Sequence, residues 1–383
     1  MKHCLFILLF FGFAWASNPL QSLTADGVAG RDTEWNATLV WKPIQNQALL
    51  EGDAGRFGYH IEPWLRWNSE DKFRGVSRPR MEQAPVIDFR EVYGLWEGES
   101  LNLKMGRVVP ASGFNRMISP SSIAPLNFHD PIHPDRTGLW GGTLHLDSRA
   151  WLMVYQTQAS LVPDQGPRRV IPPPFERGEV LYGRDTGVSI GIAGGKGIFL
   201  WQWTNNWGVT DIPLPEPSEN NPGQVDLFYD RSFSSSFSTE ISHDLVGIRN
   251  DVRYERVSGR DDQWWGVFEL DRTRYFHSFD RTLNLNLFWA YSKGYDGLPA
   301  YERLRRNALG MQFSFDLTPD SRLKILQELV IGTLENDLYS KSSFQYALAS
   351  SQWITLSYEH REFKEFTGDQ EGLWSLVYRQ WFW

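Results

Sequence analysis

Charged residues alternate with other residues between positions 249 and 255, in the sequence RNDVRYE. Side chains two residues apart in a β-strand project from the same face, so Arg249, Asp251, Arg253 and Glu255 would form one charged row. Guanidinium and carboxylate groups in such a row can pair with one another along a wet surface. They can also contact an ionic solute, since arginine binds carboxylates in a bidentate manner. The sequence leaves both alternatives open.

A second concentration of polar residues lies in the Pro-rich segment 110–136, PASGFNRMISPSSIAPLNFHDPIHPDR. Connections of this length are usually functional or disordered. The residues that could contact a solute there are Asn115, Arg116, His129, Asp130, His133, Asp135 and Arg136. The histidines and aspartates among them could in principle meet at a metal ion, but their spacing matches no specific metal-binding motif. We therefore predict a constricting or structural loop that holds no metal and no cofactor.

Strands with two different faces must position these groups, and the chain contains many candidates. In RTLNLNLFWAY (281–291), Leu283, Leu285 and Leu287 alternate with polar residues. Sixteen segments between 57 and 383 can be interpreted in this way, and many have the length that a tilted strand needs to cross a bilayer. Segment 34–42 also alternates, and the count is eighteen if it and an earlier partner span as well. The sequence thus predicts an all-β, antiparallel, up-and-down transmembrane β-barrel of about 16 strands, with 18 possible.

The lengths of the connections support this fold class. Short turns alternate with long stretches, the longest at 110–136, 159–185 and 208–235, as in barrels with short periplasmic turns and long external loops. Aromatic residues make up 15% of the chain, with 18 Trp, which is typical of aromatic girdles at membrane interfaces. A barrel of either size has a lumen that side chains cannot fill.

Further charged residues are predicted to line this lumen beside the row at 249–255. They are Arg66, Arg90, Lys104 and Glu269. Acids and bases both face inward in this interpretation. Mutual pairing therefore competes with a selective ion path, which would need one sign of charge.

The first sixteen residues, MKHCLFILLFFGFAWA, have a basic start, an apolar run and a small-x-small site. This layout predicts a cleaved secretory signal peptide. Residues 17–56 are then expected to form a periplasmic or first-strand segment, and 57–383 the barrel. The formal charge of -8 excludes a nucleic-acid binder. We expect the cell outer membrane as the location, with membrane lipids and lipopolysaccharide as partners.

Residues 372–383, GLWSLVYRQWFW, are rich in aromatic residues. We expect this last strand to pair with the first, with Leu373, Val377, Trp381 and Trp383 on the lipid-facing side. The segment resembles the C-terminal signal of outer-membrane barrels, an aromatic residue preceded by apolar residues at every second position. The resemblance implies that Trp381 and Trp383 are recognised by the barrel-assembly machinery.

A strand-turn-strand segment, DFREVYGLWEGESLNLKMGRVVPASG (88–113), carries a family resemblance. It is similar to a hairpin near the start of porin-like barrels and of alginate-export-type barrels, which have an aromatic-rich strand, a tight acidic turn and a second strand that ends in Gly-Arg. Gly106 and Arg107 hold those last two positions. The resemblance implies a translocation barrel.

The predicted function is a porin-like channel for diffusion of small hydrophilic or charged solutes. The alternative is an exporter of an exopolysaccharide, acting alone or as part of a larger export complex. An outer-membrane enzyme is disfavoured because no histidine lies in a recognisable nucleophile motif. The solute and the oligomeric state are not predicted.

Overall fold

The computed structural model of the chain describes most of its length. The described residues are 22–31, 37–52, 55–68, 87–110, 113–115, 119–124, 126–127, 135–136, 138–147, 149–158, 176–210, 213–219, 221–243, 246–294, 306–334, 337–349, 352–362 and 370–382. None of these residues forms a helix long and apolar enough to cross a bilayer.

Within the described residues, eighteen strands form one antiparallel sheet that closes on itself. They are β1 (Ser22–Arg31), β2 (Ala37–Gly52), β3 (Gly55–Asn68), β4 (Ile87–Glu97), β5 (Leu101–Val108), β8 (Leu139–Leu146), β9 (Ala150–Gln156), β11 (Thr186–Lys196), β12 (Phe199–Val209), β15 (Arg231–His243), β16 (Val246–Val257), β17 (Gln263–Phe276), β18 (Arg281–Lys293), β19 (Ala308–Asp316), β20 (Leu323–Gly332), β21 (Leu338–Ala349), β22 (Gln352–Glu362) and β23 (Gln370–Phe382). Each strand pairs with the previous and the next strand of this series, and β23 pairs with β1.

In the described parts of the connections there are five shorter strands: β6 (Leu126–Asn127), β7 (Asp135–Arg136), β10 (Glu176–Tyr182), β13 (Leu214–Pro217) and β14 (Gln224–Tyr229). β6 and β7 pair within the long segment after β5. β10 pairs in parallel with β14, which pairs antiparallel with β13. Two long connections at the same end of the barrel are therefore joined by a small sheet.

The predicted all-β barrel is confirmed, and the strand count is the larger of the two considered. Every segment predicted between 57 and 383 overlaps one strand of the barrel. The two additional strands are β2, which overlaps the alternating segment 34–42, and β1 before it. The barrel sheet thus begins at Ser22.

The two ends of the barrel differ in the length of their connections. One end has tight turns, such as 98–100 between β4 and β5 and 197–198 between β11 and β12. The other end carries the long connections, among them 109–138, 157–185 and 210–230. This asymmetry follows the pattern of bacterial outer-membrane barrels.

Large apolar side chains cover the outer face of the sheet. On β18, Trp289 and Tyr291 are each 52% exposed, whereas Phe288 and Ala290, which point to the other face, are buried. The same outward exposure recurs on other strands, at Trp140, Val154, Ile190, Trp203, Phe268, Leu309, Phe344 and Leu356. A continuous apolar surface of this kind marks an interaction site, here one suited to lipid.

The seam between β23 and β1 closes the barrel, as the sequence predicted. Leu23 lies opposite Phe382, and Thr24 lies opposite Trp381. Closure leaves no edge strand, whose unpaired backbone N–H and C=O groups could find no hydrogen-bond partner in lipid.

Two described side chains of β23 contradict the faces predicted for this strand. Trp374 and Leu376 are 55% and 49% exposed, and Leu376 lies opposite Leu356, which is also exposed. The outward series of β23 thus includes 374 and 376, which alternate with the predicted series; the side chains of Leu373, Val377 and Trp381 lie outside the described part of the strand. Trp383 lies outside the described residues.

Candidate functional site

The charged row on β16 lies on the inner face of the barrel, opposite to the exposed Val246 and Ile248. Arg249 is paired with acids of the flanking strands. Its guanidinium lies 3.0 Å from Glu240 Oε1 and 3.6 Å from Glu269 Oε1, and it contacts Asp271 directly. Register explains this arrangement, since Arg249 lies opposite Glu240 on β15 and Glu269 on β17.

The next residue of the row, Asp251, is fully buried because Gly113, Ser119 and Ser121 of the loop cover it. Ser119 Oγ, Ser121 Oγ and Ser121 N donate hydrogen bonds to Asp251 Oδ2 over 3.0, 2.9 and 3.1 Å. Ser238 Oγ on β15 donates to Asp251 Oδ1 over 2.9 Å. One carboxylate thus fastens a loop to the barrel wall.

A turn presents these serines. Ser122 N donates to Ser119 O over 3.3 Å, and Pro120 occupies the position where its fixed φ favours a turn. Gly113 passes close beside the turn with a φ of +67°, and a Cβ there would lie 2.5 Å from Asp251 Oδ2. Only glycine fits this position without strain.

Two further contacts hold the loop on the same wall. Asn115 Nδ2 donates to Val267 O on β17 over 3.1 Å. Arg253 Nη1 lies 3.4 Å from Pro120 O, and its Nη2 donates to Glu255 Oε1 over 3.0 Å. The loop leaves the wall at β5 and returns at β8, and four strands (β9, β11, β12 and β15) separate β8 from β16. It therefore crosses part of the lumen.

On the wall where the loop begins, β3 and β4 carry a second charged group. A β-bulge interrupts the pairing of β3 with β4. Two residues of β3, Glu62 and Pro63, lie opposite three residues of β4, 89 to 91. Pro63 cannot donate a ladder hydrogen bond, which makes a bulge the natural place for it. A bulge re-aims side chains, and Arg90 Nη1 donates to both oxygens of Glu62 over 3.0 and 2.9 Å.

Arg90 connects this wall to the loop. Its Nε donates to Arg136 O over 3.1 Å. Arg136 in turn donates to Ala124 O over 2.8 Å and lies 3.4 Å from Ser119 O. A continuous series of contacts thus runs from Glu62 through Arg90, Arg136 and the loop to Asp251. We call these contacts the latch.

Most of the remaining predicted lumen residues lie beside the charged row on β16 or beside the charged group on β3 and β4. Glu269, on β17, is fully buried and accepts a hydrogen bond from Asn286 over 2.9 Å. Lys104 Nζ lies 5.0 Å from the ring centroid of Tyr93, a cation–π geometry. The strand position of Arg66 lies on β3, but its side chain is outside the described part of the structure.

Several predicted loop residues cannot be placed in the same way. Arg116, His129, Asp130 and His133 lie outside the described residues, and of Asp135 only the strand position on β7 is described. The histidine and aspartate group of this loop therefore stays a prediction, as does the absence of a metal there.

Sequence reasoning missed the serines that complete the latch. Ser119 and Ser121 precede Asp251 by 132 and 130 residues. No local spacing relates residues so far apart. The one available signal was the combination of serines and proline in a loop that interrupts a barrel pattern.

The closed sheet, the apolar exterior and the loop inside the lumen define the fold of a porin-type outer-membrane β-barrel. No family model matches the chain, and no curated protein matches it either.

Solved structures show the likeness. OccK2 (OpdF) of Pseudomonas aeruginosa, in complex with glucuronate, is 12% identical with a TM-score of 0.58 over 94% of this chain and 95% of that chain. OpdQ of the same species is 10% identical with a TM-score of 0.56, over 94% and 98%. OccAB3 of Acinetobacter baumannii is 11% identical with a TM-score of 0.52, over 94% and 99%. The chain is similar to these proteins in fold along almost its whole length.

Proposed function

We propose that this protein is an outer-membrane channel through which small hydrophilic or charged solutes diffuse, with the loop 110–136 as its constriction. The observation that carries the proposal is the latch, which fixes a loop across the lumen of a closed barrel. An eighteen-stranded barrel leaves an aqueous lumen. A loop held at both walls narrows that lumen to molecular size.

The orientation follows from the asymmetry of the two ends. In the proposal, the tight turns and both ends of the barrel sequence face the periplasm, and the long connections face the outside. Residues 1–16 direct export through the inner membrane. Trp381 and Trp383 contribute to recognition by the assembly machinery, and the apolar exterior contacts membrane lipids and lipopolysaccharide.

Small carboxylates are the first solutes to test. The supporting features are Arg90 and Arg136 beside the constriction, whose side chains are partly accessible, and the glucuronate in the OccK2 complex named above. Each of these arginines also contacts protein oxygen atoms, so a solute carboxylate would share or exchange contacts with them. Exopolysaccharide export has no support from the contacts or the comparisons and is not proposed.

Proteoliposome swelling tests the proposed channel. Liposomes that contain the folded protein should swell in iso-osmotic glucuronate or glucose much faster than liposomes without protein. Large oligosaccharides should not pass the constriction. Folded, heat-modifiable protein that admits neither small solute would overturn the proposal.

A further inference from the structure

A histidine and two glutamates meet on the inner face of β3 and β4. His60 Nε2 lies 3.7 Å from Glu62 Oε2 and 3.7 Å from Glu91 Oε2. One ligand atom of each residue lies within 4.8 Å of the others. Within the described part of the chain, this is the one group of at least three His, Cys, Asp or Glu residues that could hold a metal ion.

Strand geometry produces this convergence. His60 and Glu62 are two residues apart on β3 and share a face, and Glu91 lies directly opposite Glu62 on β4. Like charges opposite each other destabilise a sheet. The bulge brings one cation, Arg90, to Glu62. The carboxylates of Glu62 and Glu91 carry two negative charges, so one negative charge is left after Arg90 is counted.

Neighbouring groups hold the three side chains in place. The His60 ring stacks on Tyr93 with centroids 5.0 Å apart and planes inclined by 19°. Glu91 Oε1 accepts a hydrogen bond from Val109 N over 2.8 Å, which leaves Oε2 as the atom that faces His60. Such outer contacts orient metal ligands. His60 and Glu91 are partly exposed to the lumen, with side chains 14% and 16% accessible, so an ion can enter.

We propose that His60, Glu62 and Glu91 bind one divalent transition-metal ion of the Zn²⁺ type, with water as a fourth ligand. Metal–ligand lengths of about 2.0–2.2 Å place neighbouring ligand atoms in a tetrahedral site roughly 3.3–3.5 Å apart. The two distances of 3.7 Å need to contract by only a few tenths of an ångström. One imidazole and two carboxylates with an open position suit Zn²⁺.

The metal would act on the constriction through Arg90. Glu62 Oε2 accepts from Arg90 Nη1 and is also a metal ligand; a carboxylate has lone pairs for both. A bound dication nevertheless repels the guanidinium, and Arg90 also holds Arg136 at the loop. Zn²⁺ should thus loosen the latch from its β3–β4 side and add positive charge to the lumen. This second part rests on the proposed channel function.

Calorimetric titration of Zn²⁺ into the detergent-purified full chain tests the site directly. We expect saturable binding of one ion. His60→Gln removes the imidazole, and Glu91→Gln removes a charge while keeping an acceptor for Val109 N. Since loss of an outer-shell partner alone weakens metal affinity by about 10–100-fold, each variant should bind at least tenfold more weakly. His277→Gln, at an exposed turn after β17, is the matched control and should bind as the unaltered protein does.

Heat-modifiable migration identifies which variants are folded, and either folded variant decides the matter. Absence of binding to the unaltered protein, or equal binding by a folded site variant, would overturn the site. In planar bilayers, Zn²⁺ should shift the reversal potential towards anion selectivity in the unaltered protein and not in His60→Gln. A protein that binds Zn²⁺ but conducts no ions would count against the channel and leave the site standing.

Discussion

Replacement of Asp251 by alanine should release the constriction loop from the far wall of the barrel. Asp251 receives three hydrogen bonds from the loop, two from serine hydroxyls and one from the backbone of Ser121. Two contacts would remain: Arg253 Nη1 lies 3.4 Å from Pro120 O of the loop, and Asn115 of the loop donates to Val267 O on β17 over 3.1 Å. We therefore expect a loop that leaves the wall for part of the time.

The magnitude follows from the acceptor's charge. A hydrogen bond to a charged group contributes roughly 1.5–3 kcal/mol. The three bonds share one carboxylate and are not additive, and lumen water can replace some of them. We take the loss as about 2–5 kcal/mol, or one to two bonds. Because each 1.4 kcal/mol is about a tenfold change, the docking equilibrium should fall by roughly 30-fold to several thousand-fold.

Single-channel recording in planar bilayers measures this effect. Asp251→Ala should show larger and noisier conductance than the unaltered protein, and Asp251→Asn an intermediate change because it keeps one carbonyl oxygen. Combined with Ser121→Ala, the alanine variant should show little additional change, since both remove the same contacts.

Asp316→Ala provides a matched control. Asp316 is also a buried aspartate on the inner face, but its contacts, Ser321 and Lys324, belong to the β19–β20 hairpin. Conductance of folded Asp251→Ala that equals that of the unaltered protein would refute the assignment of Asp251 as the anchor of the loop.

Three further results are expected. Gly113→Ala should resemble Asp251→Ala in conductance, because its Cβ would lie 2.5 Å from the carboxylate; an unchanged channel would contradict the tight approach. Single cysteines in 295–305 should react with impermeant reagents on intact cells, and cysteines in 318–321 should not; the reverse pattern would invert the barrel. Truncation of 381–383 removes two pairs of the seam with β1 and should abolish the heat-modifiable form, since unpaired backbone groups in a membrane cost several kcal/mol each; normal assembly would count against this role.

The barrel strands could be predicted because alternation is strong where lipid covers one face. β18 is an example, with leucine and aromatic residues at every second position. β1 was not recognised, since SLTADGVAGR has no large apolar period. β1 pairs with β2 on one side and with β23 on the other. These tertiary pairings, rather than a local sequence pattern, determine that the segment is a strand. The beginning of β15 was predicted as loop because serines, which favour turns, occupy positions 232, 234 and 235.

The faces of β23 illustrate another limit. Two apolar series interleave in GLWSLVYRQWF, one through Trp374 and Leu376 and one through Leu373 and Val377. Alternation alone cannot choose between them, and a shift of one residue exchanges the faces. The pairing of Leu376 with the exposed Leu356 indicates that the series through Trp374 and Leu376 faces outward.

The candidate site was predictable as a long loop and a charged row, but not as a latch. Ser119 meets Asp251 only because four strands bring β16 within reach of the loop. The group at His60 likewise depends on a bulge that turns Arg90 towards Glu62. Both features arise from the register between strands, which single-sequence periodicity does not contain.

Planar-bilayer conductance of the purified, folded protein tests the proposed channel most directly. A membrane-spanning barrel with a water-filled, constricted lumen should give discrete and reproducible conductance steps in simple salt. Glucuronate, if it enters the constriction, should reduce those steps in a concentration-dependent manner. Heat-modifiable protein that inserts into the bilayer and produces no steps would contradict the account.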